Sequence, residues 1–418
     1  MIDIFSLKNF KGIVDVSLKI KPITILIGIN GTGKSSIGQA LLLLKQSLKE
    51  RDLIPNGEFI RLGNKEDLFF KRNFSNLITF SFSGKSEGLF FSERITYNDN
   101  GIVNLDFRIE NKVGLQGNLK EIVPNKIQTP NRTFELLPSG IPAEPFTFGR
   151  DTIPDDKPEL LIRETISEFK ERFSIFQKLF DKIWYIQPIR GTLLDYNKLS
   201  SDTDNIARIR HGEDINDRLF TTIGRRSNII HIVSKWCKEI LDVDLGIRIG
   251  PGQTITLETE RQSITNENEN IYSILVNEGF GLNQLILLLT QLALAVEDSL
   301  VIIDEPEIHL HPRAQAKLME ILAKEAIEKN KQLIITTHSE HVLYQALTMI
   351  GQKELKKQDL ALYYFFKEND GCHCKELAFD KYGRLEETLP GFFEANVDMI
   401  KTYLEGMSIE EEKKENEK

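Results

Sequence analysis

Eight residues near the N-terminus, Gly28-Ile29-Asn30-Gly31-Thr32-Gly33-Lys34-Ser35, carry the spacing G-x-x-x-x-G-K-[ST]. Glycines at 28, 31 and 33 let the backbone wrap a pyrophosphate with its N–H groups turned inward, through conformations that a Cβ hinders. Lys34 is placed to reach the β- and γ-phosphates of a nucleoside triphosphate, and the Ser35 hydroxyl to ligate Mg²⁺. The phosphate-facing set is therefore Asn30, Gly31, Thr32, Gly33, Lys34, Ser35 and Ser36. A chance Gly-rich turn ahead of a core helix is the plain alternative, and the flanking strand and helix weigh against it.

A second segment, Leu300-Val301-Ile302-Ile303-Asp304-Glu305, is an apolar run ending in two carboxylates. Asp304, at the end of a buried strand, can hold Mg²⁺ through water. Glu305 points elsewhere and can polarise an attacking water. Alone, two such acids do no more than suit the dipole of a following helix. Behind a phosphate loop they complete a hydrolytic site.

These groups need a scaffold. Thr24–Ile27 reads as a buried strand, and Ser35 to Lys45 as a helix whose positive end faces the phosphates. Ahead of them, Phe5 to Gly12 and Val14 to Ile20 read as two strands, the second alternating in polarity. Three β-like stretches between about 76 and 111 follow, two of them joined by the turn Asn98-Asp99-Asn100-Gly101, so an antiparallel meander is expected. Residues 118–157 carry many prolines and little periodicity and read as irregular. A helix from Lys157 to Lys182, a strand from Ile183 ending at Pro188, a polar stretch from Ser200 to Ser227, a helix from Asn228 to Leu241 and a β pair from Leu245 to Glu258 come next. The last part alternates: a helix after Gly281, the strand at Leu300, a helix from Pro312 to Lys329 and the strand Gln332–Thr337. That order predicts an α/β fold with a parallel sheet core, an antiparallel meander and a helical insertion. The expected division is an N-terminal lobe 1–117, an insertion 118–270, a C-terminal lobe 271–400 and a charged tail 401–418.

The 418 residues suffice for a large core, and no apolar run approaches the eighteen or so residues of a membrane span. The start Met1-Ile2-Asp3-Ile4-Phe5 lacks a basic, apolar leader, and three cysteines argue for a reducing interior, so cytoplasm is expected. A net charge of −9, from 53 basic and 62 acidic residues, does not suit a surface coated for nucleic acid. A local basic groove stays open, because phosphate contacts need only a clustered few.

With these motifs in place, the chain resembles the short, standalone ABC-type ATPases of the SMC, RecF and OLD group. Leu7-Lys8-Asn9-Phe10-Lys11-Gly12 looks like the group's usual start, and Asp304-Glu305-Pro306-Glu307-Ile308-His309-Leu310-His311-Pro312 is similar to its D-E-P-E-x-x-L-H-P extension. Ile334-Ile335-Thr336-Thr337-His338-Ser339 resembles its switch-histidine strand. Gly279-Phe280-Gly281-Leu282-Asn283-Gln284 sits where the ABC signature belongs, without the Leu-Ser-Gly-Gly form.

The resemblance implies a P-loop NTPase head of ABC type that hydrolyses ATP with Mg²⁺. Two subunits would sandwich two ATP molecules, giving a homodimer or a higher even-numbered oligomer. Gly279, Gly281 and Asn283 would act in trans on the partner's γ-phosphate, with Glu305 as base, His338 as γ-phosphate sensor and Ser35 with Asp304 on the metal. Gln187 is the available glutamine for the Q-loop. The chain has no heptad run for a coiled-coil arm and no room after Phe393 for the nuclease domain of OLD proteins. The expected role is an ATP-driven switch in anti-phage defence or DNA surveillance, beside a separate effector such as a nuclease or toxin. A repair clamp that binds DNA directly and a scaffold restraining a toxic effector are the alternatives.

Other groups carry two readings each. His309 and His311 could be metal ligands or members of a structural loop. Gly371-Cys372-His373-Cys374 could bind a metal or turn between strands, and it lacks a four-ligand set. Lys11 could approach the nucleotide or face solvent. Arg190, Arg208, Arg210, Arg218, Arg225 and Arg226 could form a basic surface or be solvated loop charges.

Overall fold

Ile23–Ile27, Leu300–Asp304 and Gln332–Thr337 bury every one of their residues. Strands with no wet face belong inside a sheet covered on both sides, the setting of parallel strands between helices. The computed structural model describes residues 1–48, 50, 52–86, 88–110, 115–120, 122–123, 126–129, 132–135, 174–188, 197–198, 227–250, 254–262 and 270–387.

The first part gives β1 (Ile2–Phe10), β2 (Ile13–Lys19), β3 (Ile23–Ile27), α1 (Lys34–Ser47), then β4 (Ile78–Ser86), β5 (Leu89–Asn98), β6 (Gly101–Glu110) and β7 (Leu115–Lys120). The middle gives β8 (Ile122–Val123), β9 (Lys126–Thr129), β10 (Arg132–Glu135), β11 (Ile183–Ile186) and β12 (Asn197–Lys198). After these come α2 (Ser227–Leu241), β13 (Asp244–Gly250), β14 (Thr254–Gln262) and β15 (Asn270–Ile274). The last part gives α3 (Phe280–Leu294), β16 (Leu300–Asp304), α4 (Pro312–Glu328), β17 (Gln332–Thr337), α5 (Glu340–Gly351), β18 (Leu360–Lys367) and β19 (Cys372–Glu376).

One twelve-stranded sheet runs β11-β16-β17-β3-β18-β19-β2-β1-β4-β5-β6-β7. Its first five strands are parallel. β19 turns back antiparallel on β18, and β2, β1 and β4 to β7 form an antiparallel wing. This is the mixed sheet of an α/β P-loop ATPase head. β3, which feeds the phosphate loop, lies between β17 and β18, so its neighbours on both sides come from the far end of the chain.

Alternation along the central strands sorts the core into two faces. Val301, Ile303, Leu333 and Ile335 pack with α2, α3, α4 and α5 on one face. Ile302, Ile334 and Leu26 pack with Ile37 and Leu41 of α1 on the other. Gly38 brings α1 close to the sheet: a Cβ there would lie 2.8 Å from Ile302 Cγ2. Each fully buried Leu or Ile contributes about 1.5–3 kcal/mol, so these two layers hold the site's strand ends in place.

The meander and its turn are as expected, with Asn98 opposite Gly101 across Asp99-Asn100. The described residues between 118 and 135 form short strands where the composition suggested irregular chain. β8, β9 and β10 pair antiparallel in a small sheet, with strands of two to four residues that are too short to show alternation. β15 pairs with β14 and extends the expected β pair. Of the helix expected from Lys157 to Lys182, residues 174–181 are helical, and their Phe176 and Phe180 stack edge-on against Phe82 of the wing at 5.4 and 5.6 Å. The rest of that helix, the polar stretch Ser200 to Arg226 and the tail 401–418 lie outside the described residues. No helix among the described residues is long and apolar enough to cross a membrane.

Candidate active site

The phosphate loop leaves β3 through two positions that only glycine fills. Gly28 has φ +149°, and a Cβ there would sit 2.2 Å from the Phe365 carbonyl oxygen on β18. Gly33, at φ +93°, precedes α1, and no side chain caps the helix there, the arrangement of an anion site. Asn30 and Gly31 are exposed, whereas Thr32 is buried and donates to the Ile29 carbonyl at 2.8 Å. Lys34 is 5 % exposed, and its Nζ donates to the Gly28 and Ile29 carbonyls at 2.8 and 3.0 Å. Burial pushes the Lys34 ammonium down to about 8, against the opposing pull of Glu305, Glu307 and Asp304.

Asp304 ends β16 beside α1. Its Oδ2 accepts from the Tyr185 hydroxyl at 2.7 Å and its Oδ1 from Thr336 Oγ1 at 2.9 Å. The Ser35 hydroxyl also hydrogen-bonds this carboxylate. Burial raises the Asp304 pKa, and the Tyr185, Thr336 and Ser35 bonds pull it back. Two hard oxygens converging beneath the phosphate loop fit Mg²⁺, which prefers one or two carboxylates or hydroxyls plus phosphate oxygens. Gln187 follows β11 one residue past Ile186, which is level with Ile303, so it lies beside the end of the carboxylate strand.

Glu305 takes φ +48°, a strained conformation for a non-glycine residue. Its backbone N–H donates to the Thr336 carbonyl at 2.9 Å, and its Oε1 lies 3.6 Å from Nε2 of His338. Burial and the Lys34 charge lower the His338 pKa, so a neutral imidazole faces the Glu305 carboxylate at neutral pH. Glu307 is 8 % exposed, and its Oε1 accepts from Thr337 Oγ1 at 2.7 Å and from the His338 N–H at 2.8 Å.

The signature segment is joined to the loop after β16. Gly281 packs on His309, where a Cβ would come 2.3 Å from the His309 carbonyl oxygen, and the Phe280 ring meets the His309 ring edge-on at 4.8 Å. Gly279 and Phe280 are exposed at the start of α3. Asn283 is buried, and its Nδ2 donates to the Glu278 and Gly279 carbonyls at 3.3 and 3.5 Å, so it folds back on its own segment.

The two histidines of the loop have separate structural tasks. His309 braces Phe280, and His311 caps α4 by accepting from the Arg313 N–H at 3.4 Å. Lys11 is half-buried and donates to Gln39 of α1 at 2.7 Å. Gly371 lies in the turn before β19, and Cys372 packs beneath the phosphate loop with Sγ 3.7 Å from the Gly31 carbonyl oxygen. In the same hairpin His373 Nε2 and Asp370 Oδ1 are 2.9 Å apart. Arg190, Arg208, Arg210, Arg218, Arg225 and Arg226 lie outside the described residues.

The sequence alone did not single out Tyr185 or Glu307. Tyr185 reads as one more aromatic in an apolar strand, with nothing local to show its partner. Glu307 stands two residues past Glu305 in the D-E-P-E run, and a second acid beside a Walker-type carboxylate pair was the available signal.

Among solved structures, the chain is similar to an SMC head bound to the C-winged helix domain of ScpA, at 14% identity over 91% of this chain and 99% of that one, with a TM-score of 0.50. It is also similar to the SMC head domain from Thermotoga maritima, at 13% identity over 90% of this chain and 99% of that one, with a TM-score of 0.40. At 14% identity the first likeness concerns the fold alone. No curated protein matches the sequence. Residues 23–343 match the family model described as "AAA domain, putative AbiEii toxin, Type IV TA system". That span includes Gly28–Ser35, Gly279–Gln284, Asp304, Glu305 and His338, and the chain belongs to this family of AAA-domain proteins.

Proposed function

We propose that the chain is a Mg²⁺-dependent ATPase that works as an ATP-driven dimerising switch. The observation that carries this reading is the convergence of Lys34, the Ser35–Asp304 pair and the Glu305–His338 pair at the ends of three adjacent strands. Lys34 and the loop amides would hold the β- and γ-phosphates. Ser35 and Asp304 would hold Mg²⁺, with Gln187 beside them. Bound there, the metal would supply charge neutralisation to the phosphates.

Glu305 would take a proton from the attacking water, a role that the neutral imidazole at 3.6 Å supports. His338, as a neutral donor or acceptor, would report the γ-phosphate. The exposed Gly279 and Phe280 at the positive end of α3, shaped by Gly281 and Asn283, would complete the site of a second subunit. One lobe from 1–117 and another from 271–400 would thus act as one head, around the insertion 118–270.

The biological setting we favour is defence against foreign genetic elements beside a separate effector protein. The toxin–antitoxin wording of the family description and the resemblance to standalone heads support it. A net charge of −9 favours a protein partner over a broad DNA surface.

The test is Glu305→Gln. The variant should bind ATP, lose turnover by at least about a hundredfold, and elute as an ATP-held dimer in size-exclusion chromatography with light scattering. Turnover at the wild-type rate removes Glu305 as base, and a monomer under saturating ATP removes the dimerising switch.

A further inference from the structure

We infer that Glu307 is a positioning residue for hydrolysis: its carboxylate fixes His338 against Glu305 and locks the loop after β16 to the end of β17. The inference rests on the ATPase reading above, and it concerns a side chain that reading leaves without a task.

The loop from Glu305 to His311 is tight. Ile308 N–H donates to the Glu305 carbonyl at 3.3 Å and Leu310 N–H to the Glu307 carbonyl at 3.0 Å. Glu305 and His309, on either side of Glu307, both take positive φ, at 48° and 63°. Two left-handed non-glycine residues in five positions persist only where the surroundings over-determine them. Glu307 is the anchor between them.

Its Oε1 accepts two donors from the facing strand, the Thr337 hydroxyl at 2.7 Å and the His338 N–H at 2.8 Å. The same Thr337 oxygen accepts from the Ser339 N–H at 2.9 Å, and Ser339 caps α5 by accepting from the N–H groups of His341 and Val342. One carboxylate oxygen therefore sets the backbone at which the His338 side chain departs, on a loop that also carries Glu305. The 3.6 Å spacing of the two reacting side chains follows from that anchor.

Packing alone does not account for a glutamate here. The side chain is 8 % exposed and its Oε2 is buried with no hydrogen-bond partner among the described residues. A buried carboxylate with an unmatched oxygen costs stability that a neutral or apolar residue of similar volume avoids. What the glutamate offers in return is a strong double acceptor aimed at the switch strand.

Three variants test this, each read by steady-state kinetics, thermal melting and hydrogen exchange of the His338 amide. Glu307→Ala removes the acceptor. Its kcat should fall by about ten- to a hundredfold, as expected for a catalytic group displaced by an ångström or so, with KM for ATP within about twofold of wild type. The His338 amide should exchange at least about tenfold faster. Glu307→Gln keeps the acceptor oxygen, so it should restore kcat to within about threefold and restore amide protection. Glu305→Gln should stop turnover while leaving the His338 amide protected.

Wild-type kcat in Glu307→Ala overturns the inference. So does a Glu307→Gln as slow as the alanine variant, which assigns the effect to charge, or a KM that rises in step with the loss of kcat. A wild-type protein without ATPase activity sinks the ATPase reading instead, while the amide measurement still tests the anchor itself.

Discussion

Tyr185 and Asp304, 119 positions apart in the chain, are joined by a 2.7 Å hydrogen bond from the phenol to Oδ2. The bond exists because β11 adds in parallel to β16, so that the strand leaving the middle of the chain ends beside the Asp304 carboxylate. Burial and the Asp304 charge push the phenol's pKa up, which keeps it a proton donor at every working pH. With Thr336 on the other oxygen, Asp304 has its orientation fixed from both sides.

Tyr185→Phe should therefore weaken metal use before it weakens the fold. Losing this donor raises the Asp304 pKa further and frees the carboxylate to rotate. The Mg²⁺ concentration for half-maximal ATPase activity should rise by about tenfold, with a stability loss on the order of 1–3 kcal/mol. A Mg²⁺ titration alongside thermal melting checks this, and an unchanged metal requirement would return Tyr185 to the core.

The Lys34 ammonium titrates at about 8 in the free protein, well below its usual value, because it is buried. The protonated form binds the polyanion, and bound phosphates raise its pKa again. ATP affinity should thus be flat up to about pH 8 and then weaken with rising pH, by no more than tenfold per unit. Calorimetry at pH 7, 8 and 9 measures it. Lys34→Ala should bind weakly and without that slope, and an equal slope in the alanine variant would assign the titration to another group.

Folding stability moves the other way with pH at the same residue. A lysine whose folded pKa is lowered binds fewer protons when folded, in the window from about 8 to its unfolded value. Stability therefore rises with pH across that window, as the burial penalty on the charge is relieved. Melts of the wild type and Lys34→Met at pH 7.5 and 9.5 should show the wild type gaining relative to the variant.

Gly279 and Gly281 are two residues apart and should respond oppositely to alanine. A Cβ at Gly281 meets the His309 carbonyl oxygen at 2.3 Å, whereas among the described residues nothing lies within 4 Å of one at Gly279. Gly281→Ala should cost about 1–3 kcal/mol of stability and lower turnover by moving the His309 loop. Gly279→Ala should melt like the wild type. Equal melting of the two variants would mean the signature segment does not press on that loop.

Candidate residues that share one contiguous stretch were legible in the sequence. Gly28 to Ser35 and Asp304 with Glu305 stand out because their spacing and types match what a nucleoside triphosphate and its metal would require. The central strands were legible because Thr24–Ile27 and Leu300–Ile303 are apolar on both faces. What stayed hidden depends on pairing across the chain. Nothing near Tyr185 shows that Ile186 will lie level with Ile303. Glu307 looks like a surface acid until the His338 N–H arrives opposite it. β8 to β10 were hidden for a different reason, since two to four residues hold too little pattern to read.

The insertion of β3 between β17 and β18 also bears on how the protein comes to be made. On the ribosome, Ile23–Ile27 emerges long before Gln332–Thr337, its first neighbour in the sheet. At about 5–20 residues per second that interval is roughly 15–60 s. Throughout it, a strand that is apolar at four of its five positions waits without its sheet neighbours, a natural client for a chaperone. No partly translated chain can assemble the proposed ATPase site, because the loop after β3 has no sheet to stand on until β17 has been translated.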